Sequence, residues 1–211
     1  MRWAVAFALL AAGTAPGEIV DRIVATVGSS VVTRSDVLLH LRVRAFLDGA
    51  PLDLSAAEQR KAVDRLVEQA LIRREVELSR YTPPDMADVD AMVDQMRKPR
   101  LESDSFYQGE LVRYGITDEQ LRQAVLWQLT LLRFVEYRFR PGVQVSDDEI
   151  KTYYGREAKA TPEGKAPPPL DDVRDEIEKI LAGQRVNEAL NKWLEQARSQ
   201  TPIKIIEEGL L

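Results

Sequence analysis

The segments of this chain suited to β-structure stand at its opposite ends. Residues 19–39 read IVDRIVATVGSSVVTRSDVLL. They hold one run rich in β-branched residues, with Ile19, Val20, Ile23, Val24, Ala25, Thr26 and Val27, and a second with Val31, Val32 and Thr33. Gly28-Ser29-Ser30 between the runs reads as a hairpin turn, because glycine tolerates the backbone angles that so short a connection needs. An isolated hairpin is barely stable in water. The other strand-like segment is IKII at residues 203–206. The two ends are therefore expected to meet, the last strand completing a small sheet, with a mainly α-helical chain packed around the closure.

Between the ends the apolar pattern is helical. Ser35 is an N-cap type and precedes an apolar pattern at Val37, Leu38, Leu41 and Phe46, so a first helix is expected over residues 36–48. Gly49-Ala50-Pro51 ends it. Ser55 and Glu58 stand at capping-box spacing, followed by the stripe Val63, Leu66, Val67, Ala70, Leu71 and Leu78, widened by Ile72 and Val76. Tyr81-Thr82-Pro83-Pro84 breaks that helix. The next, over residues 85–97, carries Met86, Met92 and Met96 and stops at Lys98-Pro99-Arg100. A shorter one follows over residues 104–114. Thr117 and Gln120 open a long helix with two apolar faces. Leu121, Val125, Leu129, Leu132, Val135 and Phe139 spread over one, and Trp127, Leu131 and Phe134 lie on the other. A helix apolar on more than one side is buried by several partners or keeps one face for a ligand. Arg140-Pro141-Gly142 ends it. Ser146 and Glu149 open a short helix before a Pro-rich polar stretch, and a final helix is expected over residues 171–199.

Residues 1–17 carry one basic residue, Arg2, then an apolar run from Trp3 to Ala12, and end in small residues. That is the layout of a secretory signal peptide, and the run is too short for a span, which takes about 20 apolar residues. A secreted protein that is not an integral membrane protein is expected. A net charge of −5 gives no basic excess for phosphate backbones, which argues against a nucleic-acid partner. With no cysteine and His40 as the one histidine, thiol catalysis and a His- or Cys-based metal site are not expected. No G-x-S-x-G, H-E-x-x-H or P-loop occurs, and no cofactor is expected. The acidic pairs Asp147-Asp148 and Asp171-Asp172 stand at helix starts, where they complement the dipole.

The segment IVDRIVATVGSSVVTRSDV resembles the entry of the N-terminal domain of SurA-type periplasmic chaperones and related parvulin foldases, in which a VD-x-I-x-A-x-V strand, a short turn and a V-x-x-x-SD helix start follow in this order. Leu170-Asp171-Asp172-Val173-Arg174, then Ile177, Trp193-Leu194, Ile203 and Ile205, resemble the helix and strand that follow the isomerase domain in that family. The resemblance implies a SurA N-terminal-like helical module over residues 18–155, completed by residues 170–211. It implies periplasmic location and unfolded polypeptides, outer-membrane proteins among them, as ligands. In the family a parvulin domain sits between the helix matching residues 145–154 and the one matching residues 170–177. Here only the stretch 156–169 separates them, and a domain needs about 50 residues or more. The expectation is a chaperone module without prolyl isomerase activity, with residues 156–169 as a linker.

A chaperone that holds many sequences needs adaptable apolar surface. Methionine supplies it, being flexible and polarisable. Met86, Met92 and Met96 are therefore candidate client-binding residues, with Trp127, Leu131 and Phe134 as a second wall. Phe106 and Tyr107 are neighbours on one helix, so they cannot both face one core, and one of them is free to meet a client's aromatic side chain. The same stripes also fit core packing. The rival reading is a non-enzymatic scaffold subunit whose apolar faces are buried in a partner or in a homodimer formed by swapping the C-terminal helix.

Overall fold

The structure, a computed structural model, describes residues 21–100, 103–160 and 167–206. Residues 1–17, expected to be a leader, and part of the Pro-rich stretch lie outside them. Among the described residues the chain runs as two strands, β1 (Ile23–Val27) and β2 (Ser30–Thr33), then seven helices and a third strand, β3 (Ile203–Ile205). The helices are α1 (Arg34–Asp48), α2 (Ala56–Leu78), α3 (Met86–Arg100), α4 (Asp104–Tyr114), α5 (Asp118–Phe139), α6 (Asp147–Ala160) and α7 (Leu170–Gln200), with a 3-10 turn at Arg140–Gly142.

The expected closure of the two ends is present. The sheet is antiparallel in the order β2-β1-β3, so the first strand is central and the last pairs along its free side, Thr26 opposite Lys204 and Val27 opposite Ile203. Gly28 takes φ 58°, and Ser29 does not share the positive sign, as in a type II′ hairpin turn, whose twist suits the flanking strands. One face of the sheet is covered. Val24, Val27 and Val32 pack with Val37 and Leu41 of α1, with Val63, Val67 and Leu71 of α2, and with Trp193 and Leu194 of α7. A second core lies beyond α1. There Val43 meets Val89 and Val93 of α3, Tyr107, Leu111 and Tyr114 of α4, and Leu121, Val125 and Leu129 of α5. Helix α1 is thus the wall between two cores, and Leu52 touches both.

Several helix ends differ from expectation. Helix α1 starts at Arg34 and is capped by Thr33, not Ser35. Thr33 forms a reciprocal box with Asp36, while the Ser35 hydroxyl donates to Asp21. At Ser55 only half of the box forms: Glu58 N–H donates to the serine at 3.4 Å, but the Ser55 N–H goes to Asp53 at 2.8 Å, and Glu58 takes Lys61. The boxes at Thr117 and Ser146 are complete. Helix α3 continues through Pro99 to Arg100, past the stop expected at Lys98-Pro99-Arg100. Helix α6 runs to Ala160. The first residues of the expected linker are thus helical, since Arg, Glu, Ala and Lys are strong helix formers whatever follows them.

Candidate functional site

Two concavities share Leu47 of α1. The larger, about 870 Å³, runs between α1, α2 and α5 with the end of β2 at its margin. Its apolar lining comes from Leu39 and Val43 of α1, Leu66 and Ala70 of α2, and Ala124, Trp127 and Leu131 of α5. The amides of Gln69, Gln123 and Gln128 and the charges of Asp36, Arg44, Asp48, Arg73, Arg74, Glu77 and Glu119 surround that floor. The smaller, about 490 Å³, lies between the end of α1, α3 and α4, where Met96, Arg97, Phe106 and Tyr107 meet Phe46 and Leu121.

The local sequence explains why these side chains converge. On α5, Trp127 and Leu131 are four residues apart and share a face, while the buried series Leu121, Val125 and Leu129 turns to the second core. On α1, Val37 and Leu41 face the sheet, leaving Leu39, Val43 and Leu47 toward the helical side. This signal was legible in the sequence: α1, like α5, is apolar on more than one face. Helix α2 supplies Arg73, whose guanidinium carbon lies 3.9 Å from the centroid of the Trp127 ring, a cation–π contact.

The cleft walls carry unmet polar atoms. Trp127 Nε1 and His40 Nε2 are buried without a hydrogen-bond partner among the described residues. Burial holds the His40 imidazole below its usual pKa, and the positive charges of Arg65 and Arg44 push the same way. Burial also lowers that of Arg73, against the opposing charges of Glu77 and Asp36. A different network closes the smaller pocket. The Tyr107 hydroxyl donates to Asp118, which also accepts from Arg122 Nε at 2.5 Å. Arg97 lies 4.4 Å over the Tyr107 ring. Burial and the Asp118 bond raise the Tyr107 pKa. Burial pushes the Asp118 carboxyl up, but the Tyr107 and Arg122 bonds outweigh it and leave it low.

The eight candidate residues do not form one cradle. Trp127 and Leu131 line the larger cleft, and Met96, Phe106 and Tyr107 line the smaller. Met92 is half-buried against the second core. Met86, at the exposed start of α3, lines neither. Phe134 is 1% exposed and packs edge-on against Tyr81 at 5.4 Å. It belongs to the interior and is not a wall beside Trp127, because the turn of α5 carries it past the cleft margin. The Phe106–Tyr107 pair divides as its adjacency requires, 53% against 2% exposed. The sequence pattern did not single out Leu39, Val43 and Arg73 of the cleft, and it placed Leu66 only on the apolar stripe of α2.

Among the described residues no group of three or more His, Asp or Glu is placed to hold a metal ion, and no helix is long and apolar enough to cross a membrane. Helices closed by a terminal sheet, around an open cleft with an apolar floor and an amide and charged margin, make a binding module in form. No protein-family model matches the chain. Over 145 residues, 67% of its length, it is 31% identical to Chaperone SurA of Chromobacterium violaceum. The match covers 33% of that protein, so the chain corresponds to about a third of the relative's length. The chain is SurA-like over that part.

Proposed function

We propose that this chain is a secreted, periplasmic, ATP-independent chaperone module that holds unfolded polypeptides, outer-membrane proteins among them, in the cleft between α1, α2 and α5. The observation that carries the reading is the cleft itself. It is wide, its floor is aliphatic with a single indole, and its margin offers neutral amides. Apolar side chains of many shapes gain from such a floor, and amides can pair with any peptide backbone. The similarity to a SurA chaperone and the leader-like residues 1–17 point the same way. Binding is reversible and weak per contact, because ordering a disordered client costs free energy. The module lacks prolyl isomerase activity, a reading supported by the short span between α6 and α7.

The test is aggregation of a chemically unfolded outer-membrane protein diluted into buffer, followed by light scattering with increasing amounts of the chain. Suppression is expected, and Trp127→Glu/Leu131→Glu is expected to abolish it with the circular dichroism spectrum intact. No suppression at any ratio would sink the reading. A protease-coupled assay on a proline peptide is expected to show no acceleration of isomerisation, and acceleration would overturn that part.

A further inference from the structure

The cleft has cations left over. Asp36 accepts from Thr33 at 2.9 Å, Asp48 pairs with Arg44 at 3.5 Å, and Glu119 accepts from Gln123 at 2.8 Å. Glu77, one turn along α2 from Arg73, acts on it through its charge but forms no ion pair with it among the described residues. Arg73 and Arg74 thus line the cleft without a carboxylate partner among the described residues. The Arg73 guanidinium lies instead on the Trp127 indole at 3.9 Å. Stacking restrains the guanidinium and leaves N–H groups at its edge. A restrained fork of N–H groups is half of a bidentate arginine–carboxylate pair. The partially desolvated surroundings that lower the Arg73 pKa also strengthen its attraction for an anion. Trp127 Nε1, buried and unpartnered, belongs to the same shelf.

We propose that Arg73, laid on Trp127, captures a carboxylate of a bound polypeptide, while Leu39, Leu66 and Leu131 take the apolar residues beside it. The carboxylate is that of the chain end or of an Asp or Glu side chain. This rests on the polypeptide-binding reading and supplies its polar anchor. Glu77 and Asp36 act on Arg73 through their charge and compete with the captured carboxylate.

Fluorescence anisotropy tests it with the full chain and an N-terminally labelled, unstructured apolar peptide in three forms: free C-terminal acid, C-terminal amide, and amide ending in Glu. At least one carboxylate form is expected to bind about tenfold more tightly than the plain amide at low salt, and which form does so identifies the source. Arg73→Gln is expected to erase the difference between the carboxylate and amide forms. Arg73→Lys is expected to restore part of it, and Glu77→Gln to tighten the carboxylate form. Circular dichroism checks that each variant folds. Equal affinity for all three peptides, or discrimination that survives Arg73→Gln, would overturn carboxylate capture and leave the polypeptide reading standing. Binding of none of them would overturn the capture, and only a parallel loss of aggregation suppression would sink the polypeptide reading as well.

Discussion

Gly28 donates its backbone N–H to the carbonyl oxygen of Pro202 at 2.9 Å. This bond ties the first turn of the chain to the start of its last strand. Gly28 does so at φ 58°, with Thr201 Cγ2 3.5 Å from where a Cβ would stand. That contact is ordinary, so the cost of a side chain there is conformational. Gly28→Ala is expected to destabilise by about 1–2 kcal/mol, read as a lowered urea midpoint. An unchanged midpoint would mean that the turn relaxes freely and does not anchor β3.

Phe134 and Leu132 separate interior from surface on α5. Phe134 is enclosed and touches Tyr81, so Phe134→Ala is expected to cost about 3–5 kcal/mol. Leu132 is 62% exposed, and Leu132→Ala is expected to stay within about 0.5 kcal/mol. Thermal unfolding of the two variants side by side reads the contrast, and equal effects would contradict the placement of α5.

Tyr107 holds α4 to α5 through Asp118. Tyr107→Phe keeps the ring and its contact with Phe46 but leaves the carboxylate one donor short, with Arg122 still bonded. A loss of about 1 kcal/mol is expected. Because the Asp118 carboxyl sits below its ordinary pKa in the folded chain, the stability it contributes is present above its unfolded pKa and fades as pH falls through the folded value. The gap between wild type and Tyr107→Phe is therefore expected to narrow in acid, as urea titrations at neutral and acidic pH would show.

His40 gives a pH dependence in a separate window. Burial and its arginine neighbours lower its pKa in the folded state from 6.5, so the unfolded chain takes up the proton first. Stability attributable to His40 is full above 6.5 and declines as pH falls below it. His40→Gln is expected to flatten the melting temperature between pH 7.5 and 5.5 relative to wild type. An identical slope in the variant would exclude His40 as the titrating group.

The sequence alone determined the closure of the sheet. The segment Ile203–Ile205 had no strand to pair with except the hairpin at the other end, whose first strand Ile23–Val27 keeps one side free for it, and backbone groups must be paired wherever they are buried. It also determined most helices and the complete boxes at Thr117 and Ser146, because capping is chemistry between residues three apart. Adjacency alone decided that Phe106 and Tyr107 would part. Tertiary structure decided which apolar face is core and which is cleft. Trp127, Leu131 and Phe134 are alike in their spacing, yet the first two line the open cleft beside α1 and α2 while the third is enclosed against Tyr81. Arg73 was legible as a charge, but not as a cation stacked on an indole from another helix. Periodicity fixes where a side chain points on its own helix. What it meets there depends on neighbours distant in sequence.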